Sequence, residues 1–130
     1  MPKYLTKEEL FASMVGKTII KIINNDYLEL VFKCDDGSMY LMYHAQDCCE
    51  DVHLEEIIGD LNDLLGHPIL QFDERVNPPE VDAKECTWTF YELRTIQGSV
   101  TLRWIGESNG YYSEEVHFIE LTEKEKEKYA

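Results

Sequence analysis

Short runs of β-branched and aromatic residues, each cut off by a turn signal, constrain this chain more than any other feature in it. Thr18 to Ile23 and Tyr27 to Phe32 are largely apolar, and Asn24-Asn25-Asp26 between them is turn chemistry. Asp36-Gly37 is a tight-hairpin signal, after which Ser38 to His44 alternates as a third strand. Ile69 to Phe72 is a shorter candidate, followed by a polar loop around Pro78-Pro79. Cys86 to Thr95 and Ser99 to Ile105 are strand-length runs joined at Gln97-Gly98. A second turn, Gly106-Glu107-Ser108-Asn109-Gly110, leads into a last run from Tyr111 to Leu121. About six or seven strands in a mostly antiparallel sheet are expected.

Two segments read as helical. Thr6 and Glu9 have capping-box spacing, and Leu10, Phe11, Met14 and Val15 form an apolar stripe closed by Gly16. Further on, Leu54, Ile57, Ile58, Leu61, Leu64 and Leu65 recur at the spacing of one helical face, which predicts a helix over about 54–65 with Gly66-His67-Pro68 as its stop. Gly59 costs such a helix about 1 kcal/mol relative to Ala. It therefore implies either a close neighbour at that backbone or a helix that begins late. Thr122 to Ala130, alternating Glu and Lys, reads as a solvated tail with helical character. The fold class expected is α+β: a single domain over 1–130, with helix 54–65 packed on one face of the sheet and the opening helix, within 1–15, at an edge.

Charge narrows the function. The formal net charge is −14, where a magnitude of about 2 to 8 is ordinary for a small domain. Between Lys33 and Arg75 there is no Lys or Arg, and 11 Asp and Glu residues fall there, leaving only −3 to the rest of the chain. Such a field repels nucleic acid and anionic membrane, so neither is expected as a direct partner. No run approaches 18 apolar residues and the amino terminus has no apolar h-region, so a soluble, cytoplasmic protein is expected. Cys48 and Cys49 are adjacent and not expected to bridge each other; free thiols follow in a reducing compartment.

The stretch His44-x3-Cys48-Cys49-x3-His53 contains four metal-capable side chains. Adjacent cysteines in an extended segment point opposite ways, however, whereas structural zinc sites space their cysteines two to four apart. Nearby carboxylates also raise a thiol pKa and disfavour a nucleophilic thiolate. No catalytic residue, metal site or cofactor is assigned on these grounds. The expected partner-binding residues are instead the acidic set Asp47, Glu50, Asp51, Glu55, Glu56, Asp60 and Asp63, because 11 uncompensated charges cost self-repulsion that solubility does not require. The partner would present a basic surface, and a homodimer stays open. The alternative is a small-ligand or metal-binding pocket between 44–53 and 107–112, lined by His44, Cys48, Glu107, Asn109 and Tyr111. In the aromatic runs, Trp88 and Phe90 share one face and Thr87, Thr89 and Tyr91 the other; Val100, Leu102 and Trp104 oppose Thr101, Arg103 and Ile105. These stripes read as sheet core, with Arg94 and Arg103 left to pair with carboxylates of the 54–65 segment or to hold an anion.

Long literal strings carry a resemblance over about residues 16–120: Gln46-Asp47-Cys48-Cys49-Glu50, Gly59-Asp60-Leu61-x-Asp63-Leu64, Thr87-Trp88-Thr89-Phe90-Tyr91 and Arg103-Trp104-x-Gly106-Glu107-Ser108-Asn109-Gly110-Tyr111-Tyr112-Ser113. The pattern resembles a set of small phage and prophage proteins grouped as a domain of unknown function. The resemblance implies a phage accessory context and supplies no catalytic residues. It implies a host protein or defence component as the partner, engaged in some such proteins through charge that imitates DNA.

Overall fold

The computed structural model describes residues 5–79, 86–108 and 112–129. Helix α1 (Lys7–Met14) opens with the expected box: Thr6 Oγ1 accepts from the Glu9 amide and Glu9 Oε1 accepts from the Thr6 amide, both at 3.2 Å. Its Leu10, Phe11 and Met14 are buried, while Val15 just beyond is 47% exposed.

Among the described residues eight strands follow, in two four-stranded sheets rather than the one sheet expected. The first sheet has the order β1-β2-β3-β8, from β1 (Ile19–Asn25), β2 (Glu29–Cys34), β3 (Met39–Tyr43) and β8 (His117–Glu120). The second has the order β4-β7-β6-β5, from β4 (Asp51–Ile58), β5 (Gln71–Val76), β6 (Thr87–Thr95) and β7 (Gly98–Glu107). All strand ladders are antiparallel. The chain thus changes sheets twice, once through residues 44–50 and once on the way from β7 to β8. On that second passage it turns back over Gly106, where an added Cβ would lie 2.7 Å from Glu114 Cβ.

The inner faces of both sheets share one core. Leu30, Phe32, Tyr40, Met42 and Phe118 come from the first, and Leu54, Tyr91, Leu93, Leu102 and Trp104 from the second. Phe11 of α1 joins them, its ring 4.5 Å from that of Phe72 and 5.2 Å from that of Phe118. The outer face of the first sheet is covered as well, because Val31, Met39 and Leu41 pack with Leu121 and, more loosely, Tyr129. That double coverage explains why β3 reads Met-Tyr-Leu-Met-Tyr, almost without polar alternation. The tail expected to be solvated therefore contributes to packing: after α2 (Glu123–Lys126), Tyr129 reaches Glu29 with its hydroxyl at 3.3 Å.

The helix predicted over 54–65 does not form; residues 51–58 are the edge strand β4, and only Leu61–Leu64 turn, as a 3-10 helix. A bulge explains the misreading. Val52 and Leu54 point inward at strand period, a register shift between Leu54 and Glu56 absorbs one residue, and Ile57 then faces inward opposite Leu102. The i, i+3 step from Leu54 to Ile57 imitates a helical face. Leu61 and Leu64 continue the imitation through the 3-10 turn, while Ile58, counted in the stripe, is 47% exposed.

Gly59 ends β4 at φ +107°, and an added Cβ would stand 2.8 Å from the Ser99 carbonyl oxygen. The close neighbour inferred from sequence is thus backbone of β7. Gly59→Ala combines left-handed strain with a backbone clash and is expected to cost about 1–3 kcal/mol, read as a lower urea midpoint at unchanged slope.

Candidate functional site

The segment 44–53 is built around a carboxylate turned inward. Glu50 is 3% exposed. Its two oxygens accept the amides of Asp47 (2.9 Å) and Cys48 (2.8 Å), and Oε2 also lies 2.8 Å from His44 Nε2. Gln46 Nε2 donates to the Cys48 carbonyl at 3.2 Å and to the Glu50 carbonyl. The other His44 nitrogen, Nδ1, is 2.6 Å from the Glu115 carbonyl oxygen. The Glu115 carbonyl oxygen can only accept, so Nδ1 donates to it and Nε2 is left facing the Glu50 carboxylate. The His44 hydrogen bond holds the Glu50 pKa down at about 2; burial opposes it, and the Cys48 and Asp47 amides reinforce it. A buried carboxylate persists where hydrogen bonds satisfy its lone pairs, as here.

This geometry removes Glu50 from the expected partner-binding surface and commits His44, expected in the alternative pocket, to holding its own loop. Cys48 and Cys49 are exposed at the loop tip, and their sulfurs are bonded to each other, contrary to expectation. The physical reason is that the loop bends at these two residues instead of running extended. Of the remaining alternative residues, Glu107 pairs with Asp51 across β4 and β7, and Asn109 and Tyr111 lie outside the described residues. Among the described residues no group of three or more His, Cys, Asp or Glu is placed to hold a metal ion.

The acidic stretch between Lys33 and Arg75 is less uncompensated than its sequence order suggests. Cations from distant parts of the chain reach it: Lys7 to Glu74 (2.9 Å), Lys17 to Asp36 (3.2 Å), and Arg103 to Glu56. His53 sits between Asp51 and Glu55, with Nδ1 and Nε2 each 2.9 Å from a carboxylate oxygen. Burial pulls the His53 pKa down, but the bonds to Asp51 and Glu55 outweigh it and raise it above 6.5. Paired or not, a line of carboxylates stays exposed on an edge: Asp51, Glu55 and Glu56 on β4, then Asp60, whose Oδ1 caps the 3-10 turn through the Asn62 amide (2.9 Å). Asp47 is exposed on the adjoining loop and Asp63 is half-buried beside Gly98.

A second surface was not singled out in the sequence. The outer face of the β4-β7-β6-β5 sheet forms a shallow cavity of about 410 Å³ lined by Ile58, Asp73, Arg75, Phe90, Glu92, Thr101 and Arg103. The Arg103 guanidinium stacks 4.8 Å from the Trp88 ring and 5.8 Å from that of Phe90, and Arg75 approaches Phe90 from the other side at 6.0 Å. Trp88 and Phe90 had been read as core. That the two share a face was legible from their alternation with Thr87, Thr89 and Tyr91; that this face turns outward follows from the register, which sets Phe90 opposite Arg103.

Two measurements check these assignments. Glu50, with its pKa depressed on folding, contributes stability that is fully present above its ordinary value of 4.5 and is lost as pH falls towards about 2. Thermal melts of Glu50→Gln are expected to show a lower midpoint than the parent at pH 7 and a flatter pH dependence through that window. In an NMR titration His53 is expected above 6.5. His117 is expected below it, because burial lowers its pKa and the Glu115 carboxylate only partly offsets this.

No helix among the described residues is long and apolar enough to cross a membrane. Neither the curated proteins nor the solved structures contain a match to this chain. The model of a domain of unknown function, DUF7448, matches residues 12–118, a span that runs from the last turn of α1 through β1 to β7 and into the first half of β8. The chain belongs to the DUF7448 family.

Proposed function

We propose that this protein is a non-enzymatic binding module that engages a basic surface of another protein through its acidic edge. The observation that carries the reading is the placement of Asp51, Glu55, Glu56 and Asp60, all exposed, along edge strand β4 and the turn that follows it. An edge strand lined with charge also resists pairing with other sheets. That protective role explains the charge on β4 but leaves most of the net −14 unaccounted for. A field of this size steers a positively charged partner into encounter and fixes its orientation. The phage or prophage setting implied by the sequence strings makes a cytoplasmic host or defence protein the partner of choice, with inhibition by charge mimicry of DNA as the mode of action.

The test is co-purification from host cells, identification of the bound protein, and titration of the purified pair against salt. Between about 0.01 M and 1 M the screening length falls from roughly 30 Å to roughly 3 Å, so affinity is expected to fall steeply across that range. The variant Asp51→Asn/Glu55→Gln/Asp60→Asn is expected to bind at least tenfold more weakly at low salt while melting normally. An affinity indifferent to ionic strength would sink the electrostatic reading.

A further inference from the structure

The fold treats the outer faces of its two sheets differently. On the first, the chain after β8 covers Val31, Met39 and Leu41. On the second, the cavity walls are strand residues alone. A solvated antiparallel face alternates to polar side chains, but this face keeps Ile58 at 47% exposure, Trp88 and Ile105 half-buried, and Phe90 shielded to 8% by its arginines. None of the four strands contains a lysine. Aromatic residues and Arg with Lys absent is the composition of interface centres rather than of ordinary surface.

The charges on this face are ordered. Cross-strand register places Arg103, Phe90 and Arg75 in one row, and Thr101, Glu92 and Asp73 in the next. The rows are two residues apart along the strands, roughly 6.8 Å. Asp73 and Glu92 stand directly opposite each other, an unfavourable like-charge pair within one copy. Arg103 Nε is buried and has no acceptor among the described residues.

We propose that this face is a homodimer interface, occupied by a second copy of the chain related by a two-fold axis that runs across the strands between the two rows. That rotation lays the arginine row of each copy on the carboxylate row of the other. Arg75 meets Asp73 of the second copy, and Arg103 comes within one strand spacing of the second copy's Glu92, an acceptor for Nε. Each contact is made twice, as an isologous interface requires, and the like-charge pair is relieved from across the axis. Because both copies carry −14, long-range repulsion opposes assembly, so moderate salt strengthens the dimer. A basic partner on the β4 edge shows the opposite trend, which keeps the two readings separable.

Sedimentation equilibrium of the full chain from micromolar to near-millimolar concentration tests the proposal. The mass is expected to rise from 15.2 kDa towards twice that value. Asp73→Arg or Arg75→Asp alone places like charges across the axis and is expected to weaken association at least tenfold, about 1.4 kcal/mol. The double exchange Asp73→Arg/Arg75→Asp restores opposite charges and is expected to recover it. Both positions are exposed, and circular dichroism checks that each variant folds. A 15.2 kDa species at every concentration overturns the proposal, as does a dimer indifferent to the single exchanges or one that the double exchange fails to rescue.

Discussion

His44 hydrogen-bonds in two directions, to the Glu50 carboxylate and to the Glu115 carbonyl oxygen, and through them fastens both places where the chain passes from one sheet to the other. The first passage is the loop 44–50 itself, whose amides close on Glu50. The second runs from β7 to β8 and carries Glu115. His117, at the start of β8, adds a further tie by accepting the Ala45 amide at 3.2 Å. Two sheets that share only apolar contacts can slide; a hydrogen-bonded seam anchored on the buried His44 and Glu50 side chains specifies one arrangement, because a shift strands those buried groups without partners. The ligand-like cluster of histidine, cysteine and glutamate residues in this stretch is therefore first a structural device, and the surfaces it leaves free are those on β4 and beyond.

Those surfaces differ in kind. The β4 edge displays carboxylates to solvent, where each is worth little to stability and much to long-range steering. The outer face of the same sheet is short-range by nature: guanidinium groups stacked on Trp88 and Phe90, with alternating charge rows, act only on a surface that comes into contact. Arg103 links the two, since it pairs with Glu56 on the edge while stacking on the face.

Much of the fold was legible along the chain. The opening helix and its cap, the two amino-terminal hairpins and the long pair β6-β7 follow from period and turn chemistry that act within a few residues. The segment 51–65 was not legible, because a bulge, a glycine turn and a 3-10 helix together reproduce the spacing of one amphipathic helix. At the candidate site, the exposure of Asp51, Glu55, Glu56 and Asp60 was readable from their polarity. The inward turn of Glu50 was not, since nothing local distinguishes a glutamate that will receive two amides and an imidazole from one that will face water.

The sequence by itself determined the hairpins of β1, β2 and β3 and the pair β6-β7, which residues alternate on β6 and β7, and that the middle of the chain is acidic. All of these depend on neighbours in the chain. Only the tertiary structure decided that the strands divide between two sheets, which carboxylates meet Lys7, Lys17 and Arg103, and that Trp88 and Phe90 face outward. Those outcomes depend on cross-strand partners far apart in sequence, and a one-residue bulge is enough to exchange the two faces of a strand.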